Sequence, residues 1–174
     1  VGGAYPVIAL DFSPERRALA QKLGADYVFD PSDPELTEKV KAVTEGRGAN
    51  CVIEVTGNPD ALNTALLCTA RFGRVALLGC TRVPTTLNLY NDVHFPGISL
   101  IGAHTMARPD HESSHGWWTS QDDCAAALRL LHTGKLNIHD IIHEIHKPED
   151  CPAVYARLAT DRSFPVGVLW DWNT

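Results

Sequence analysis

Apolar positions along this chain follow two spacings. Mainly apolar runs at Val7 to Leu10, Tyr27 to Phe29, Cys51 to Val55, Arg74 to Leu78 and Ile98 to Ile101 predict buried strands. Between them the apolar residues recur at helical intervals. Ser13-Pro14-Glu15 supplies an N-cap, a proline at the first helical position and an acid in the first turn. Ala18, Leu19 and Leu23 continue that helix, and Gly24 stops it. A second helix, Pro34 to Thr44, carries Leu36, Val40 and Val43 on one face and ends at Gly46. Asn58-Pro59 opens a third, running to Cys68, and Gly73 precedes the fourth strand.

From residue 6 to 102 the predicted order is therefore β-α-β-α-β-α-β, a short loop and turn, then β. That alternation predicts a doubly wound α/β domain, a parallel sheet with helices on both faces. After Ala103 the pattern changes. A polar stretch holds the adjacent Trp117 and Trp118. A helix follows from Gln121 to Thr133, then a strand from Ile141 to Ile145. Pro148-Glu149-Asp150 opens a helix to about Leu158, and Val166 to Trp170 forms a last strand. The change of context falls near residue 135, dividing the chain into a domain at 1–135 and a segment at 136–174. Repeats and low-complexity tracts are absent from the sequence.

Composition narrows the classes. The chain has 174 residues, enough for one domain with a core or a domain plus a fragment. Its net charge of −6 repels nucleic-acid phosphate, and no basic run offsets that locally. No apolar run nears the ~20 residues of a membrane span. A basic, signal-like leader is not visible, and the first residue is not Met. The five cysteines, Cys51, Cys68, Cys80, Cys124 and Cys151, form no C-x-x-C pair. They are expected to be buried, reduced thiols of a cytoplasmic protein.

Strand ends carry the candidate chemistry. Ligands of open parallel sheets bind beyond the carboxyl ends of the strands, and Asp11 stands at such an end. An acid there either accepts hydrogen bonds from both hydroxyls of an adenosine ribose, favouring NAD over NADP, or is an ordinary turn residue. Val55-Thr56-Gly57 and Leu78-Gly79-Cys80 end two further strands. A glycine at each lets a flat ligand approach the backbone, or simply makes a tight turn. The G-x-G-x-x-G turn expected about 20 residues before such an acid does not occur.

Three stretches, VIALDFSPERRALAQKLGADYVFDP, NCVIEVTGNPDALNTALLCTARFGRVALLG and GISLIGAH, resemble the zinc-dependent medium-chain dehydrogenase/reductase family. The likeness is to its alcohol, polyol and threonine dehydrogenase branch. The tail, IIHEIHKPEDCPAVYARL followed by FPVGVLWDW, is similar to that family's return into a GroES-like catalytic domain. The resemblance implies the second half of such an enzyme, a Rossmann-like domain lacking its first β-α unit, plus a C-terminal segment of the catalytic domain. It implies NAD as cofactor, an alcohol or polyol substrate, and zinc held only in the missing catalytic domain. By the same resemblance Asp11 binds ribose and Arg16 lies near the adenosine. Val55, Thr56 and Gly57 wall the adenine side. Leu78, Gly79 and Cys80 approach the nicotinamide end, with the backbone of Leu100, Ile101 and Gly102 beside them. No catalytic residue and no metal ligand falls on this chain, which by itself is expected to be inactive. The missing strand belongs at the sheet's centre, so the strands at Asp11 and Cys51 are expected to have unpaired inner edges.

Other features remain. His139, His143 and His146 have helical spacing, but a strand would put His143 and His146 on opposite faces. His104, His111 and His115 flank a polar loop that could border a cleft. The apolar edge strand at 98–102 is a pairing hazard unless covered, and the family likeness implies a homo-oligomer through it. Two alternatives stay open: a fragment of an S-adenosylmethionine-dependent methyltransferase, and a non-catalytic nucleotide-binding or dimerisation module.

Overall fold

The computed structural model describes residues 2–79, 81–161 and 163–173. The chain divides into two compact units, residues 2–123 and residues 124 onward.

In the first unit, β1 (Ile8–Leu10) and β2 (Tyr27–Phe29) pair in parallel, with α1 (Pro14–Lys22) crossing between them. Local chemistry fixes this helix at both ends. The Ser13 hydroxyl accepts from the Arg16 N–H at 3.2 Å, and Gly24 leaves the helix at φ 110°, a conformation costly for any residue with a Cβ. Next come α2 (Leu36–Ala42), β3 (Ala49–Glu54), α3 (Pro59–Cys68), β4 (Thr69–Leu77) and β5 (Ser99–Gly102). Strands β3, β4 and β5 form a second parallel sheet with β5 at its edge.

Among the described strands, β1 pairs only with β2, and β3 on its inner side with none. These are the unpaired edges that the order 3-2-1-4-5-6 predicts when the central first strand is missing. Leu62, Ala65 and Leu66 of α3 pack on Val75 of β4 and on Ile98, with Val52, Leu77 and Leu100 alongside. Val75 is fully buried. Leu36 and Val40 of α2 and Cys68 of α3 pack with Ile8 and Phe29, so both helices cover the two-stranded sheet. The register sets Ile53, Ala76 and Ile101 in a row on the face of the three-stranded sheet opposite α3. That face is bare: Ile53 is 61% exposed, Val55 62% and Leu78 49%.

Strand β4 begins five residues before the predicted Arg74, directly at the end of α3. Gly73 therefore does not precede the strand. It lies inside an irregular strand, where a Cβ would stand 2.8 Å from the Ala70 carbonyl oxygen and 3.1 Å from that of Asn50. Phe72, at φ 60°, makes the bend. The segment read as loop and turn contains a π-helical turn, Tyr90–His94.

Helix α4 (Ser120–His132) starts at Thr119, whose hydroxyl accepts from the Asp122 N–H at 3.3 Å. In the second unit, β6 (Ile142–His146) and β7 (Gly167–Trp170) pair in parallel. A 3₁₀ turn, Pro148–Asp150, and α5 (Cys151–Thr160) cross between them. Val154 is buried, and Tyr155 of α5 stacks on Trp170 of β7 at 6.5 Å. Glu144 of β6 accepts from Arg157 of α5 and lies 2.8 Å from His146 Nε2.

The Arg157 hydrogen bond, and then that of His146, hold the Glu144 carboxyl below its ordinary value of 4.5. A carboxyl lowered on folding adds stability above its unfolded value and loses it as pH falls through the folded one. Glu144→Gln should therefore lower the Tm more at about pH 6 than at about pH 3, the gap shrinking as pH falls below the ordinary carboxylate range. Thermal unfolding at both values checks this, and an equal gap at both overturns it.

Candidate functional site

The chemistry-bearing residues cluster at the carboxyl ends of the strands. Asp11 follows β1, and its Oδ1 accepts the Ser13 N–H at 2.9 Å. Its Oδ2 accepts no hydrogen bond among the described residues, leaving a half-buried carboxylate with one open oxygen. Arg17 fastens this strand end. Its Nη1 donates to the Asp11 carbonyl at 2.6 Å and the Phe12 carbonyl at 2.9 Å, and pairs with Asp30 Oδ2 at 3.0 Å. Asp30 follows β2, so Arg17 ties the two strand ends together. The Ser32 hydroxyl and amide, and then Arg17, hold the Asp30 carboxyl below the usual carboxylate range. Arg16 is exposed, and its side chain makes no hydrogen bond or ion pair among the described residues.

At the end of β3, Val55 and Thr56 are exposed, and Gly57 turns the chain into α3 at φ 68°. Asn58 caps that helix by accepting from the Asp60 N–H at 2.8 Å. The Glu54 side chain is only 6% exposed. Its Oε1 accepts from the Thr56 N–H at 2.6 Å, the Thr56 hydroxyl at 2.5 Å and the Gly57 N–H at 3.1 Å. Its main-chain carbonyl accepts from Leu78 and Gly79 at 3.0 and 2.8 Å. The ends of β3 and β4 are thus joined directly. At the end of β5 the Ala103 N–H donates to the Leu77 carbonyl at 3.2 Å.

Of the residues singled out in the sequence, Val55, Thr56, Gly57, Leu78, Gly79 and Gly102 come together along one edge. The Leu100 side chain packs into the core, leaving only its backbone for a ligand, and Ile101 lies on the bare face. Cys80 lies outside the described residues. Asp11 and Arg16 form a separate group, and no hydrogen bond among the described residues joins it to the first.

A cavity of about 490 Å³ adjoins the ends of β4 and β5. Leu78, Ala103, His104, Arg108, Trp117 and Trp118 help to line it. The two indoles are held there by a short turn. Ser114 and Trp117 exchange backbone hydrogen bonds at 2.8 and 2.9 Å, and the Ser113 hydroxyl accepts the Thr119 N–H at 2.8 Å. In the second unit, alternation along β6 sets the exposed His143 on the face opposite His146. Among the described residues, no group of three or more His, Cys, Asp or Glu side chains is arranged to hold a metal ion.

Glu54 is the residue that reading the sequence left without a role. Its signal is an acid inside an apolar run, followed at once by Thr-Gly. A buried acid in that position has the amides of its own turn as its nearest partners.

Comparison with known proteins adds the following. The family model for zinc-binding dehydrogenases matches residues 1–131. L-threonine 3-dehydrogenase of Pyrococcus horikoshii is 35% identical over 148 residues, covering 85% of this chain and 39% of that protein. L-threonine 3-dehydrogenase of Symbiobacterium thermophilum is 37% identical over 102 residues, or 59% of this chain and 29% of that protein. The chain thus spans well under half the length of these curated relatives. Among solved structures, 2R,3R-butanediol dehydrogenase of Bacillus subtilis superposes with a TM-score of 0.78 at 22% identity, covering 98% of this chain and 45% of that one. Benzyl alcohol dehydrogenase of Acinetobacter calcoaceticus gives a TM-score of 0.78 at 19% identity, over 97% of this chain and 44% of that one. At such identities these structures establish a shared fold.

Proposed function

The chain belongs to the zinc-binding dehydrogenase family, and from that premise we propose that it is the nucleotide-binding part of an oxidoreductase. The full enzyme moves a hydride between NAD and an alcohol or polyol. Family membership removes the methyltransferase alternative. The observation that carries the reading is the open carboxylate oxygen of Asp11 at a strand's carboxyl end, held in place by Arg17.

In this reading the residues divide the work. The free Oδ2 of Asp11 accepts a ribose hydroxyl, and its charge repels a 2′-phosphate. Arg16 flanks the adenosine. The backbone of Val55 to Gly57 walls the adenine, and Leu78, Gly79 and Gly102 border the nicotinamide end. NAD supplies the hydride chemistry. Zinc belongs to a catalytic domain outside these 174 residues. Residues 136–174 belong with that domain and residues 1–135 with the nucleotide domain. A β-α unit from elsewhere in the longer protein fills the gap between β1 and β3 and covers the bare sheet face, since parallel sheets are buried on both faces.

The protein is further read as cytoplasmic and oligomeric, with β5 as the pairing edge. No helix among the described residues is long and apolar enough to cross a membrane, and Cys51, Cys68, Cys124 and Cys151 are free thiols, of which Cys68 is buried while Cys51 and Cys124 are exposed, against the expectation of burial. The edge pairing is tested with the association experiment below.

Calorimetric titration with NAD and with NADP tests the nucleotide site. NAD should bind in preference, and Asp11→Ala should weaken NAD about tenfold, as expected when a charged hydrogen-bond acceptor is removed. Equal binding of the two nucleotides, or an unaltered Asp11→Ala variant, overturns the assignment.

A further inference from the structure

We infer that Glu54 is the positioning residue of the nucleotide groove, an inference that rests on the nucleotide reading above. Its buried carboxylate shapes the turn at the end of β3, and its carbonyl locks that turn to the end of β4.

Three observations carry this. First, Glu54 is 6% exposed, and among the described residues its carboxylate takes its donors from Thr56 and Gly57, in the turn just beyond β3. Burying an acid without such donors is costly, so the side chain and the turn determine each other's positions. Second, the contact relays onward. The Thr56 hydroxyl donates to Glu54 and accepts the Asn58 N–H at 3.0 Å, and Asn58 in turn caps α3. One acid therefore orients the turn, the helix start and the exposed Val55–Thr56 peptide. Third, the Glu54 carbonyl takes both the Leu78 and Gly79 amides, and Gly79 lies flat on the Val55 carbonyl. The wall proposed for the adenine and the segment proposed for the nicotinamide end are one hydrogen-bonded unit. Glu54 touches no ligand in this arrangement, because its carboxylate is buried against the Thr56 hydroxyl and the turn amides, on the face opposite the exposed Val55.

Glu54→Leu, of similar bulk, removes both carboxylate acceptors and keeps the main-chain carbonyl. Glu54→Gln keeps Oε1, which holds the three shorter contacts, and loses only the 3.3 Å contact of Oε2 with Gly57. The test is NAD titration together with amide hydrogen exchange by NMR, on the parent chain, both Glu54 variants and Asp11→Ala. In Glu54→Leu, exchange at Thr56 and Gly57 should rise, and NAD should bind more weakly, each by about tenfold. Protection at Val75 should stay as in the parent. Glu54→Gln should restore NAD affinity to within about threefold of the parent. A purely structural role would instead lower Val75 protection along with the turn.

Should Glu54→Leu lose Val75 protection, Thr56→Val decides by its exchange rates. It cuts the same relay at an exposed side chain, and unchanged exchange at Asn58 overturns the proposal. NAD binding by Glu54→Leu within about twofold of the parent, while Asp11→Ala is weakened, overturns the positioning role alone. A parent chain that binds no NAD overturns the nucleotide reading, and the positioning role with it.

Discussion

Gly79→Ala is expected to cost about 3 kcal/mol or more, among the larger losses a single methyl group can produce. The reason is the seam between the ends of β3 and β4. A Cβ at Gly79 would lie 2.2 Å from the Val55 carbonyl carbon, 2.3 Å from its oxygen and 2.7 Å from the Thr56 nitrogen. All three are backbone atoms, so no side-chain rotation relieves the clash. Relief requires the strand ends to separate, which breaks the hydrogen bonds from Leu78 and Gly79 to the Glu54 carbonyl. For a chain of this size that loss lowers Tm by roughly 6–12 °C. Gly102→Ala is the matched control, because nothing lies within 4 Å of a Cβ there. Its Tm should stay within about 1 °C of the parent, as for most surface changes. Paired thermal melts check both, and a Gly79→Ala melt that matches the control refutes the seam.

That seam marks where the sequence stopped being informative. Helix caps and strand runs are local signals, and Ser13, Pro14, Asn58 and Gly24 stand where such signals put them. The unpaired inner edges of β1 and β3 were legible once the family resemblance implied a missing first strand, because that strand belongs at the centre of the sheet. The early start of β4 was not legible. A glycine between a helix and an apolar run looks like a turn before a strand, whereas here β3 runs beside an irregular part of β4 that already includes Gly73. The role of Glu54 was hidden for a related reason. Its donors are adjacent in sequence, but its burial depends on α3 and β4 closing over it. Asp11 was recognisable as a strand-end acid, whereas the residue that secures it, Arg17, is defined by its reach to Asp30 thirteen positions away. The polar stretch around Trp117 offered no periodic signal, because its order comes from a short turn joined to the start of α4 through Ser113, Thr119 and Asp122.

The bare face of the three-stranded sheet should make the isolated chain self-associate. Ile53, Val55, Leu78 and Ile101 lie on it at 61%, 62%, 49% and 39% exposure, beside the unpaired inner edge of β3. Burying an aliphatic side chain fully is worth about 1.5–3 kcal/mol. Entropic costs of association consume part of that, so the gain across four half-exposed side chains supports binding in roughly the micromolar range. Parallel sheets in complete domains do not present such faces to water, which is why a covering β-α unit is proposed for the full protein. Ile53→Lys together with Val55→Lys should shift the association midpoint upward by at least about tenfold. The fold should survive, because both side chains point away from the cluster of α3 and Val75. The edge of β5 is untouched by these changes, so a dimer that persists in the double variant is assigned to that edge. Sedimentation equilibrium of parent and variant, with a hydrophobic dye as a second readout, separates the two surfaces. A parent chain that is monomeric and dye-silent at high micromolar concentration removes both the sticky face and the edge pairing. A double variant that associates as strongly as the parent removes only the face, and leaves the β5 edge to account for assembly.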